Sequence, residues 1–163
     1  MAIFYSATEV IEMAIKTEES GRKFYQGFAK KTKSPKLKQL FEFLASEEIK
    51  HKRNFTDLYK TIKDSPQSVP YNWEEMSLYL KAITESRFFL GQTKSINLVK
   101  IAKTSKQALD FALGFERDTL LFYTEIISIV SAANRRLVEK IVAQEKNHIR
   151  QLQLMKESLT KGK

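Results

Sequence analysis

The chain has 163 residues, 42% of them hydrophobic and 29% charged, with a formal net charge of +9 at pH 7. That length fits one domain with a substantial core, and no apolar run approaches the ~18 residues that suggest a membrane span. The absence of cysteine excludes disulfides, an all-thiolate zinc site and a rubredoxin-type iron site within these residues.

Five glycines and three prolines are too few to punctuate many short strands, so long helices are expected. The basic surplus reads as a lysine-rich solvated surface or as attraction to an acidic partner. No basic motif with interleaved aromatics favours nucleic acid. The first residues, Met1 to Ser6, lack a basic stretch followed by a long apolar one, so the expectation is a cytoplasmic protein.

Ser6-Ala7-Thr8-Glu9 has the form of a capping box. Ala7, Ile11, Ala14, Glu18, Gly21, Tyr25 and Phe28 follow at heptad spacing, which predicts a helix over about 7–30. Ser34 and Pro35 then cap and open a second helix over 35–63. Its stripe is Leu37, Phe41, Leu44, Glu48, His51, Phe55, Leu58 and Ile62, closed by Asp64-Ser65-Pro66. A charged pair on a core stripe costs several kcal/mol unless compensated.

Residues 64–104 read as a crossover with one short helix, capped at Asn72 and carrying Trp73, Met76, Leu80 and Ile83 on one face. Phe88-Phe89-Leu90-Gly91 is apolar and then breaks. Thr104 caps a third long helix over 105–130, with the stripe Ser105, Leu109, Ala112, Glu116, Thr119, Tyr123, Ile126 and Val130. A turn near Ser131 leads to a fourth over 132–160, with Asn134, Val138, Ile141, Glu145, His148, Leu152, Met155 and Leu159.

The two halves repeat. Glu18 and Glu116, and Tyr25 and Tyr123, are separated by the same interval; so are Glu48 and Glu145, and His51 and His148. Helix–turn–helix, crossover, helix–turn–helix is the order of an all-α, antiparallel four-helix bundle with one long connection, here a single domain over 1–163. The chain has two histidines, and each stands three residues after a glutamate. That spacing puts both groups on one face of a helix. Glu18, Glu48, His51, Glu116, Glu145 and His148 therefore converge at mid-bundle as four carboxylates and two imidazoles. Such a set suits iron, manganese or zinc. Glu48 and Glu145 are expected to bridge or flank two ions, each histidine to ligate one, and Glu18 and Glu116 to complete the outer positions. Glu19 and Glu47 fall off the seam and read as surface or outlying groups.

On these residues the chain resembles the rubrerythrin-like branch of the ferritin-like di-iron carboxylate superfamily. The resemblance rests on Glu18 with Tyr25, Glu48-x-x-His51, Glu116 with Tyr123 and Glu145-x-x-His148. It implies a pair of metal ions, iron first, with manganese, zinc or a mixed pair also compatible. Rubrerythrins proper add a four-cysteine rubredoxin domain, for which these residues hold no cysteine. They also place a further glutamate one turn beyond the third helix's ligand, where Thr119 stands. The six-ligand set is similar to that of bacterioferritin too, but Ile49 stands where that family has its haem methionine.

Tyr25 and Tyr123 read either as core aromatics or as phenols bonded to ligand carboxylates and tuning the metals. Gly21 allows close packing or leaves room for an oxidant. The resemblance implies an oxidoreductase of the oxidative-stress type, reducing H2O2 or O2 with electrons from a separate acidic carrier protein such as rubredoxin. The alternatives are a ferroxidase that handles iron, and a scaffold that keeps metal for stability. A homodimer is expected, since the long crossover makes helix exchange possible.

Overall fold

The computed structural model describes residues 5–65, 70–89 and 91–162. Among the described residues six helices follow one another: α1 (Ala7–Lys31), α2 (Pro35–Ile62), α3 (Trp73–Thr84), α4 (Gln92–Ile101), α5 (Ser105–Ile129) and α6 (Ala132–Lys161). Local chemistry sets their starts. Ser6 forms both halves of a capping box with Glu9, Ser34 accepts from the Leu37 amide ahead of Pro35, and Thr104 accepts from the Gln107 amide. Asn72 precedes α3, but its side chain makes no capping bond. The expected stop at Pro66 lies outside the described residues; α2 ends at Ile62.

The long helices pack as two hairpins, α1 with α2 and α5 with α6. Apolar residues at heptad spacing bury one stripe of each, and the result is an all-α ferritin-like bundle. The core is cut in two by a polar layer. One half gathers Val10, Ile11, Phe55, Phe122, Tyr123 and Ile141; the other gathers Phe24, Tyr25, Phe28, Phe41, Phe115 and Leu152. The first half joins the start of α1 to the end of α5, so those helices run antiparallel.

The crossover must return the chain from the end of α2 to the opposite end of the bundle. The sequence predicts one short helix there, and the described residues form two. Met76, Leu80 and Ile83 of α3 are buried as their spacing predicts. The second, α4, lies on α1 across Gly27, where an added Cβ would stand 3.1 Å from the Val99 methyls. Lys31, at the end of α1, donates from Nζ to the carbonyls of Val99 (2.7 Å), Lys100 (3.1 Å) and Ala102. A cation there satisfies the orphan carbonyls at the end of α4 and opposes its dipole. Leu90 of the apolar run lies outside the described residues. Phe88 packs its ring over Gly114 of α5, with ring carbons 2.7–3.0 Å from where a Cβ would be.

Candidate metal centre

The polar layer consists of Glu18 from α1, Glu48 and His51 from α2, Glu116 from α5, and Glu145 and His148 from α6. Each is at most 1% exposed. Each occupies a seam position that an apolar residue would otherwise fill, so burial follows from helix phase alone. All six predicted positions come together. Their ligand atoms form two overlapping groups, Glu18–His51–Glu145 and Glu48–Glu116–Glu145–His148.

Glu145 belongs to both groups. Its Oε1 lies 2.9 Å from His51 Nδ1, and its Oε2 accepts from His148 Nδ1 at 2.8 Å. Glu18 Oε2 stands 3.7 Å from His51 Nδ1, and Glu116 Oε1 stands 3.9 Å from His148 Nδ1. The two imidazoles stack at 5.6 Å between ring centroids. Both therefore present Nδ1 inward.

Several of these atoms have no hydrogen-bond partner among the described residues: Glu18 Oε2, both oxygens of Glu48, Glu116 Oε2, Glu145 Oε1 and His51 Nδ1. His51 Nδ1 lies 2.9 Å from Glu145 Oε1 as an ion-pair contact without the geometry of a hydrogen bond. Orphaned buried polar atoms are rare in folded proteins and call for an explanation such as an ion. Nitrogen and carboxylate donors in this proportion fit a pair of first-row divalent ions.

Crowded carboxylates pull their proton affinities apart. Burial, then the charge of Glu18, pushes Glu48 well above the ordinary carboxyl range; burial, then Glu145, does the same to Glu116. Burial acts in the same direction on Glu145, but the hydrogen bond from His148 and the close imidazole of His51 outweigh it and hold that carboxyl at about 2. For His51 burial opposes the charged form, and the close carboxylates of Glu145 and Glu18 overcome it, raising the imidazole to about 11. Without metal the layer thus neutralises itself with protons. Metal ions would displace them.

Each buried tyrosine donates to a carboxylate of the layer. Tyr123 Oη donates to Glu18 Oε1 at 2.5 Å, and Tyr25 Oη donates to Glu116 Oε1. Each thus serves the glutamate of the opposing helix, not the one seven residues before it. Burial, then the neighbouring carboxylate charge, raises both phenols well above their usual range, so they remain donors.

Gly21 is tied to Glu48: a Cβ there would lie 2.6 Å from Glu48 Oε2 and 2.8 Å from Phe115 Cζ. Thr119 is buried, and its hydroxyl has no hydrogen-bond partner among the described residues. Glu19 sits outside the layer, paired with Arg22 at 2.5 Å and Lys52 at 2.9 Å. Arg22 first, then Lys52, holds it at about 2. Glu47 is more buried than its off-seam position predicts, yet it turns to Lys50, 2.5 Å away. Sequence reading passed over Gln144, whose Oε1 accepts from His51 Nε2 at 3.2 Å. The signal available was its place one residue before Glu145.

Comparison with known proteins agrees with this geometry. The Rubrerythrin family model matches residues 9–156. No curated protein sequence matches the chain. Among solved structures, a ferritin-like diiron-carboxylate protein from Thermotoga maritima is similar, with a TM-score of 0.71 and 24% identity over 94% of this chain and 96% of that one. At that identity the likeness speaks for the fold.

Proposed function

The chain belongs to the rubrerythrin family, and on that premise we propose that it is a di-metal carboxylate oxidoreductase, with iron as the resident pair, that reduces peroxide or O2 with electrons from a separate carrier. The observation that carries this reading is the buried layer of six ligand side chains whose inward atoms lack partners.

Glu18 and His51 would hold one ion, and Glu116 and His148 the other. Glu145, with one oxygen toward each histidine, would serve both, and Glu48, with both oxygens free, is the second candidate bridge. An iron pair supplies two electrons to one O–O bond, so that H2O2 plus two electrons and two protons gives two waters. Tyr25 and Tyr123 orient the outer carboxylates through their hydroxyls. The apolar clusters above and below keep bulk water away from the layer. The missing side chain at Gly21 leaves Glu48 room beside Phe115.

A net charge of +9 suits an acidic electron carrier. No described helix is long and apolar enough to cross a membrane. The reading places the protein in the cytoplasm as a homodimer; a monomer in solution scattering at micromolar concentration would contradict the second part.

Mixing the iron-loaded, reduced protein with H2O2 and, separately, with O2 tests the reading. Fast oxidation by one H2O2 per iron pair is expected. Slow oxidation without preference for peroxide favours a second reading, an iron-handling ferroxidase. Thr119 favours that alternative, since a buried hydroxyl stands where rubrerythrins carry a further carboxylate.

A further inference from the structure

We propose that Gln144 positions His51 for metal binding, and that the two halves of the centre are unequal because His148 has no equivalent support. The proposal rests on the reading that the six residues hold two ions.

Helix α6 grips His51 at both ends of its ring. Glu145 Oε1 faces Nδ1 at 2.9 Å, and Gln144 Oε1 accepts from Nε2 at 3.2 Å. An acceptor at Nε2 keeps the proton there and leaves the Nδ1 lone pair for metal. The amide also fixes the ring plane toward the layer.

The repeat that superposes Glu145 on Glu48 and His148 on His51 brings Gln144 onto Glu47. Glu47 is an acceptor, and it is buried, so it could mirror Gln144 at His148. It does not. Lys50 draws its Oε1 to 2.5 Å. The flank of His148 instead meets the ring of Phe43, edge to face at 89° and 6.2 Å between centroids. A phenyl ring at that place offers no oxygen or nitrogen acceptor. No described residue hydrogen-bonds to the outer nitrogen of His148. His51 is therefore held at both ring nitrogens, and His148 at Nδ1 alone, by Glu145.

Removing the partner of a ligating histidine lowers metal affinity by about 10–100-fold. Cobalt(II) is a suitable probe, added anaerobically to the full chain. Its visible bands follow each binding step, and proton magnetic resonance follows the exchangeable N–H of each bound imidazole. The wild-type chain is expected to show two such N–H signals, one exchanging slowly with solvent. In Gln144→Leu that slow signal should exchange fast, and one of the two cobalt affinities should fall ~10–100-fold while the other holds. Gln144→Glu restores an acceptor and should keep the slow signal and both affinities. Glu47→Gln should change neither.

Equal losses at both sites in Gln144→Leu would mark Gln144 as merely structural and overturn the proposal. So would an unchanged slow signal, or a Glu47→Gln that behaves like Gln144→Leu. Failure of the wild-type chain to take up two cobalt ions would instead remove the two-ion reading, and this proposal with it. Peroxide turnover plays no part, so the metal site is tested apart from the reaction.

Discussion

Gly21 and Glu48 share one volume: a Cβ on Gly21 would stand 2.6 Å from Glu48 Oε2. Alanine at that position must push the carboxylate aside or move Phe115, whose ring tip lies 2.8 Å away. Overpacking costs roughly 1–3 kcal/mol, and the better helix propensity of alanine returns about 1 kcal/mol. Gly21→Ala is therefore expected to lose little stability as metal-free protein but to bind iron or cobalt more weakly. Thermal melts beside metal titrations check it. Unchanged metal affinity would mean that Glu48 yields without consequence.

The tyrosines give a second prediction. Tyr123→Phe strips Glu18 Oε1 of its donor, and Tyr25→Phe does the same to Glu116 Oε1. In the metal-loaded protein, where the ions displace the protons of the layer, a buried hydrogen bond to such a carboxylate contributes roughly 1.5–3 kcal/mol. Each variant should melt roughly 4–10 °C lower in a chain of this size. Both should still bind two ions. A variant as stable as wild type would make these phenols ordinary core aromatics.

The ligands themselves should divide by the number of ions they serve. Glu145→Ala is expected to lose both ions, because its two oxygens face different histidines. His51→Ala should weaken one site and spare the other. Glu19→Ala should leave stoichiometry at wild type, since that carboxylate pairs with Arg22 and Lys52 outside the layer. Bound metal at 1,000 times its Kd adds about 4 kcal/mol of stability, so melts with and without iron report the same ordering. Two ions retained by Glu145→Ala would rule out a shared carboxylate.

Stability of the metal-free protein should depend on pH in a direction fixed by the layer. Glu48 and Glu116 keep protons in the folded chain at pH values where the unfolded chain has released them, above about 4.5. The folded state then binds more protons, and stability falls as pH rises. His51 acts with the same sign. Its contribution is complete below 6.5 and lost as pH rises through about 11. Glu145 acts oppositely, with a contribution complete above 4.5 and lost as pH falls through about 2. The metal-free melting temperature should therefore decline between pH 6.5 and 9, and added metal should flatten that decline. A metal-free protein that gains stability across this range would contradict the assigned protonation.

The sequence by itself determined which residues are buried on each long helix. Heptad spacing is local arithmetic: Glu18, Glu48, Glu116 and Glu145 share a phase with Ile11, Leu44, Ala112 and Ile141, so whatever buries one buries the other. The caps at Ser6, Ser34 and Thr104 are equally local and form as their spacing predicts. α4 escaped such reading because its hold on the bundle comes from elsewhere, through Gly27 and the Nζ of Lys31.

Only the tertiary structure decided which atom meets which. Phase names a face and not a partner. Side chains tilt toward the N-terminus of their own helix, so on α1 Glu18 leans away from Tyr25, while on antiparallel α5 Glu116 leans toward it. The phenol therefore crosses to the opposing helix. Glu47 and Gln144 stand at matching places in the repeat, yet one turns to Lys50 and the other to His51. That choice depends on the residues packed around each, and no periodicity along a single helix contains it.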